Sequence, residues 1–157
     1  MHANGALLQR LFTALDDHDH PTMADCYHPA ATFRDIAFDL SGQREIHAMW
    51  HMICENTDIR ATFEVLHADD LEGRVALVDH YTFTDTALKV RNVIDSRFRF
   101  TNGVIVQHQD HCDPRAWAGM AFHGGVRAFL AGNFRIVRSL AARRKLTEFH
   151  HAHPKYR

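Results

Sequence analysis

From residue 60 to residue 112 the chain holds four strand-like runs joined by connections of only a few residues. They are RATFEVLHA (60–68), GRVALVDHYTFT (73–84), LKVRNVIDSRFRF (88–100) and GVIVQHQDHC (103–112). Asp69-Asp70 with Gly73, Asp85-Thr86 and Thr101-Asn102-Gly103 mark the turns, and Asn-Gly between two strand-like runs is a good hairpin signal. Connections this short carry no crossover helix, so consecutive runs pair antiparallel. Upstream, Leu7, Leu8, Leu11, Phe12 and Leu15 recur at helical spacing. Pro21 suits the first turn of a short second helix holding Met23, Cys26 and Tyr27, which His28-Pro29 ends. ATFRD (31–35) reads as a short strand. Ser41 or Gly42 then caps a longer helix with Glu45 in its first turn and a stripe of Ile46, Met49, Trp50 and Ile53. This order predicts an α+β fold, a mostly antiparallel sheet with helices on one face.

The 157 residues fit one such domain. Formal net charge is −1, so no whole-chain field points to nucleic acid. The charge is uneven along the chain. Residues 1–122 hold 10 Lys/Arg against 18 Asp/Glu, a net of −8, while residues 123–157 hold 8 Lys/Arg and one Glu, a net of +7. A boundary at 122 is expected, with a basic amphipathic helical extension after it. Three cysteines, Cys26, Cys54 and Cys112, without paired spacing predict no disulfide framework and a reducing, cytoplasmic setting. The start, MHANGALLQRLF, lacks the pattern of a secretion signal. No apolar run reaches the roughly 18 residues of a membrane span.

Taken together, ALDDHDHPTMADCYHPAATFRD, FRFTNGVIVQHQDHCD and the element order between them resemble the nuclear transport factor 2-like superfamily. Within it the chain is similar to bacterial ketosteroid isomerase-related and SnoaL-like proteins, over about residues 5–122. The resemblance implies a curved sheet wrapped around the long helix as a cone, one apolar pocket for a small molecule, and often a homodimer through the outer sheet face. It also implies which strand faces point inward. These are Asn92, Ile94, Ser96, Phe98 and Phe100; Leu77, Asp79, Tyr81 and Phe83; and Val106, His108, Asp110 and Cys112. Alternation makes each set self-consistent. Arg97, Arg99, Gln107, Gln109 and His111 then face solvent or a partner.

His108 and Asp110, two residues apart on one strand face, form an acid–base pair. SnoaL-like cyclases use an aspartate on the last strand, and Asp110 lies in a comparable segment. The bland alternative is a polar pair orienting the 113–117 turn. Asp35 ends AATFRD, which resembles the strand carrying the catalytic aspartate of steroid isomerases; read alone, it is a turn or cap residue. Leu11 stands where that family has a Tyr, and Ser96 where it has an Asp, unless a one-residue shift brings in Asp95. Tyr81 is a substitute donor. Asp79, Tyr81, Asn92 and Ser96 fill the pocket as substrate contacts or as an internal hydrogen-bond network. Trp50, Phe83, Phe98, Phe100 and Trp117 form its walls. Arg97 and Arg99 facing outward weigh against the inward Asp–Arg–Asp set of related epoxide hydrolases.

His47 and His51 are one helical turn apart, a metal-binding spacing, but no third ligand is apparent. With Glu55 they read as an exposed stripe, and neither metal nor cofactor is predicted. HHAHPKYR reads as a frayed end. The apolar face of Phe129, Phe134, Ile136, Val137, Leu140 and Leu146, flanked by arginines, predicts a helix packed on the acidic body or on a partner. An anionic membrane surface is the lesser reading. Two functions follow: an acid–base enzyme acting on an apolar carbonyl compound by isomerisation, cyclisation or hydration, or a ligand-binding or interaction domain of the same fold.

Overall fold

Hydrophobic periodicity becomes structure in this order in the computed structural model, which describes residues 1–157. Helix α1 spans Ala3–Asp16, α2 His20–Asp25, strand β1 Tyr27–Arg34, β2 Asp39–Ser41 and α3 Gln43–Asn56. Strands β3 (Arg60–Ala68), β4 (Glu72–Phe83), β5 (Leu88–Thr101) and β6 (Val104–His111) follow, then α4 (Pro114–Phe122), α5 (Gly125–Asn133), α6 (Arg135–Ala152) and a 3₁₀ turn over Pro154–Tyr156. The six strands form one sheet in the order β2-β1-β6-β5-β4-β3. All neighbours are antiparallel except β1 and β6. The fold is α+β with a mostly antiparallel sheet.

The hairpins form where the turn residues allow them. Asn102 and Gly103 both take positive φ, 49° and 76°, as a two-residue hairpin turn requires. Gly42, at φ 97°, breaks the chain between β2 and α3. The Glu45 carboxylate then accepts from the Ser41 amide at 3.1 Å, which ties the start of α3 down. On the inner side, Leu8, Leu11, Phe12 and Leu15 of α1 and Ile46, Met49 and Trp50 of α3 are buried against Val75, Leu77, Ile94, Phe98, Phe100 and Ile105 of the sheet.

Four expectations need correction. β1 begins at Tyr27, so His28-Pro29 does not end a helix but sits inside a strand. The β1–β6 register shifts between Tyr27 and Thr32, and Pro29 falls in that irregularity, where its missing N–H breaks no ladder bond. Strand β2, not anticipated, takes Ser41 and leaves Gly42 as the cap of α3. The β5–β6 register also shifts, pairing Phe100 with Ile105 and Arg99 with Gln107. This bulge turns Ile105 inward, fully buried, in place of Val106. The end is not frayed either: Tyr156 is buried and its hydroxyl meets His51 Nδ1 at 2.9 Å.

The basic extension is helical but divided. The backbone turns extended at Phe134 (φ −123°), so α5 and α6 are separate helices. Leu146 and Phe149 pack into the core, whereas Phe129, Phe134, Ile136 and Leu140 stay exposed. No helix is long and apolar enough to cross a membrane.

At Gly73 the β4 backbone leaves no room for a side chain against α1 and β5. A Cβ there would lie 2.8 Å from Leu8 Cδ1 and 2.9 Å from Phe100 Cζ, both in the core. A strand alanine is worth about 0.5–1 kcal/mol over glycine in chain entropy, and overpacking costs about 1–3 kcal/mol. Gly73→Ala is therefore expected to lower the urea midpoint, with a net loss of about 1 kcal/mol or more. An unchanged or raised midpoint would show that Leu8 and Phe100 repack freely.

Candidate active site

The inner face of β6 carries an imidazole into the apolar core, and a chain of hydrogen bonds satisfies it. His108 is fully buried, ringed by Phe98 at 4.3 Å and Phe33 at 4.8 Å between centroids. Its Nδ1 meets Tyr27 Oη at 2.8 Å, and Trp50 Nε1 on α3 donates to the same Oη at 3.1 Å. An indole N–H only donates, so the Tyr27 hydroxyl proton is free for Nδ1. The ring proton then sits on Nε2 and is donated to Asp110 Oδ1 at 2.7 Å. Ser96, directly across the β5–β6 ladder, donates to the same oxygen at 2.6 Å. Asp110 Oδ2 takes no hydrogen bond from the protein.

In front of this chain lies a cavity of about 740 Å³ between the sheet, α3, α4 and α6. Asp110, Asp35, Asp79, Tyr81, Asn92, Trp50 and Phe83 all line it, with Phe38, Cys112 and Trp117. Ser96, His108 and Phe98 do not. They stand behind the wall, Ser96 and His108 bonded to Asp110 and Phe98 packed in the core. Asp95 faces outward to Arg74 and Arg97, so no register shift brings it in. Arg99 is exposed as well.

Burial sets the protonation of the cavity acids. Asp79, between Ala61 and Asn92 across the ladders, is 9% exposed, and its Oδ1 has no hydrogen-bond partner. Instead of a satisfied internal network there is a bare carboxyl. Desolvation, reinforced by the Asp110 charge, raises its pKa to about 8. At neutral pH it is a carboxylic acid able to donate. Asp35 sits on the loop after β1. Desolvation pushes it up to about 6, opposed by the Phe38 and Ala37 amides, which donate to its Oδ1 at 2.6 and 2.7 Å. It is thus a turn residue and a cavity acid at once. Trp117 Nε1 donates to Tyr81 Oη at 2.7 Å, which leaves the phenol proton for another acceptor.

Three participants were not singled out from the sequence. Tyr27 reads as a helix residue when Pro29 is taken as a terminator, which hides its place on β1. Arg135 and Arg138 of α6 reach across to the loop that carries Asp35. Arg135 donates to the Asp35 carbonyl at 2.6 Å, and Arg138 to the Ile36 carbonyl at 2.7 Å. Their partners are backbone carbonyls, which leave no trace in side-chain patterns. Val137, Arg138, Lys145 and Phe149 make α6 one wall of the cavity.

The Asp79 carboxyl holds its proton in the folded state up to about pH 8 and loses it near the ordinary carboxylate range when unfolded. Between about pH 4 and pH 8 the native state binds the extra proton, so stability falls as pH rises through that window. Asp79→Asn removes this loss. Its stability relative to the parent protein should grow from near zero at pH 4 to several kcal/mol at pH 8, read by denaturant melts. Parallel pH profiles would place the proton elsewhere.

The comparisons identify the fold that carries this site. The SnoaL-like domain family matches residues 8–108. No curated protein matches the sequence. Among solved structures, a candidate polyketide cyclase from Silicibacter sp. tm1040 is similar with a TM-score of 0.68 at 14% identity, over 75% of this chain and 94% of its own. An epoxide hydrolase-like protein of M. tuberculosis gives a TM-score of 0.59 at 14% identity, over 89% of this chain and 93% of its own. A protein of ketosteroid isomerase-like fold from Catenulispora acidiphila, in complex with trimethylamine, gives 0.63 at 12% identity, over 73% and 91%. The chain belongs to the SnoaL-like domain family, within the nuclear transport factor 2-like fold.

Proposed function

We propose that this protein is an acid–base enzyme acting on an apolar carbonyl compound held in the cavity. The observation that carries the reading is a neutral acid and a carboxylate lining one apolar space: Asp79, held protonated by burial, and Asp110, with Oδ2 free. Asp110 takes the proton next to the carbonyl. Asp79 and the Tyr81 hydroxyl donate to the oxygen as negative charge develops there, replacing the donor pair that Leu11 and Ser96 cannot supply. His108 and Ser96 hold the Asp110 carboxylate in place from behind. Asp35, near pH 6, is the second group able to take or return a proton. Trp50, Phe83 and Phe38 supply apolar walls, and Asn92 orients the substrate. Isomerisation, cyclisation and hydration share this enolate step, so the proposal is for the step. The reading needs no cofactor.

The alternative is a binding domain of the same fold. It draws on the fact that Asp110 Oδ1 is engaged from both sides, as a purely structural carboxylate would be. Under either reading the protein acts in the cytoplasm. The outer sheet face, where Val93 is 57% exposed, is the surface we propose for pairing of two copies.

Exchange of α-hydrogens for deuterium needs no knowledge of the final product. A panel of steroid- and polyketide-sized ketones in D₂O, followed by mass spectrometry, should show catalysed exchange. Asp110→Asn is expected to lower it by about 10²-fold or more with the fold intact. Asp79→Asn and Tyr81→Phe should each lower it less. Ketones that quench Trp50 and Trp117 fluorescence yet never exchange would sink the enzymatic reading and leave the binding domain.

A further inference from the structure

Away from the acids of the proposed active site, α3 and the chain end bring three potential ligand atoms to one point. His51 Nε2 lies 3.4 Å from Glu55 Oε2, and His153 Nε2 lies 3.1 Å from the same oxygen. All three lie within 4.8 Å of one another. His51 and Glu55 are one helical turn apart on α3. His153 arrives from beyond α6, held there by burial of Phe149 and Tyr156. The exposed stripe expected around His47 and His51 thus gains the third ligand that α3 alone does not offer.

The hydrogen bonds on the far side of each ring make this grouping unusual. His153 Nδ1 meets the Phe149 carbonyl at 3.0 Å. A carbonyl only accepts, so Nδ1 carries a proton, and Nε2 is the ring atom that faces the Glu55 carboxylate. A separation of 3.1 Å between Nε2 and the carboxylate oxygen calls for something positive between them, a proton or a metal ion. His51 Nδ1 lies 2.9 Å from Tyr156 Oη; when Nδ1 donates to that oxygen, Nε2 presents its lone pair toward Glu55. The ring stacks on His20 at 3.7 Å, which fixes its plane.

We propose that His51, Glu55 and His153 form a binding site for a zinc-class divalent transition metal ion, which pins the chain end to α3. Two imidazoles and one carboxylate are a known zinc donor set, with the fourth position open to water. Donor atoms around a tetrahedral zinc ion lie about 3.3 Å apart, close to both measured separations. The oxygen acceptors on the two Nδ1 atoms are the outer contacts that orient imidazole ligands. Glu55 and His153 also line the cavity, so the ion would sit at its rim. A hard ion such as Mg²⁺, which prefers oxygen donors, should not bind.

Calorimetric titration of the metal-free protein with Zn²⁺ tests this, with Mg²⁺ as control. One Zn²⁺ per chain is expected, weakened about tenfold or more in Glu55→Gln and in His153→Gln. Circular dichroism checks that both variants stay folded, and Glu55 is exposed enough to be replaced safely. No stoichiometric binding would overturn the proposal and leave a protonated His153 paired with Glu55. Binding unchanged in Glu55→Gln would assign the ion to the terminal histidines alone. Loss only in His67→Ala would move it to the exposed His67, Asp69 and Glu72 group. Either result also overturns the site.

Discussion

His108 has no contact with solvent, and both of its ring nitrogens must find partners inside the protein. An unpaired buried donor or acceptor costs about 1–3 kcal/mol, so this requirement constrains several elements at once. The Tyr27 hydroxyl must come from β1, where the strand runs parallel to β6 and puts Phe33 beside His108. Trp50 must come from α3 to meet the same hydroxyl. Asp110, two residues on, and Ser96, across the ladder, complete the chain on the other side. Helix, first strand and hairpin are thereby tied together by a line of polar contacts through an otherwise apolar core. Such a line specifies one arrangement, because any slip leaves a buried polar group unpaired.

The far end of that line opens on the cavity, where Asp35, Asp79 and Asp110 share an apolar space. Three carboxylates in such a place cannot all carry charge at once. Asp79 yields: it is deep, and nothing donates to its Oδ1. Asp35 is moderated by two amides, while Asp110 accepts hydrogen bonds from an imidazole and a hydroxyl. The positive charge of the C-terminal segment is spent nearby but not on these carboxylates. Arg135 and Arg138 bind carbonyls of the 35–38 loop, and Lys145 pairs with Asp85 at 2.9 Å on the rim. Charge asymmetry along the sequence thus becomes a clasp that holds α6 as one wall.

Much of the sheet was legible because its signals are local. Period-two runs and an Asn-Gly turn depend on neighbours in sequence, and inward faces follow from alternation. Errors arose where a local signal had two meanings. Pro29 reads as a helix stop, yet it fits equally well in a strand irregularity, and taking the first meaning hid Tyr27. In VIVQ a bulge is invisible, since Val104, Ile105 and Val106 are apolar whichever one turns inward. The lone carboxyl of Asp79 was visible as an inward polar group, but its missing partner is a fact of three dimensions. His153 and Tyr156 looked like a loose end because their partners, Glu55 and His51, lie about a hundred residues upstream.

The most direct measurement is a pH titration of the aspartate side-chain carboxyl ¹³C resonances in the intact protein. One resonance, absent in Asp79→Asn, should keep the shift of a protonated acid at pH 7 and move only near pH 8. A second, absent in Asp35→Asn, should move near pH 6. If every aspartate has already ionised by pH 5, the cavity holds no neutral donor opposite Asp110, and the proposed proton transfer loses its basis.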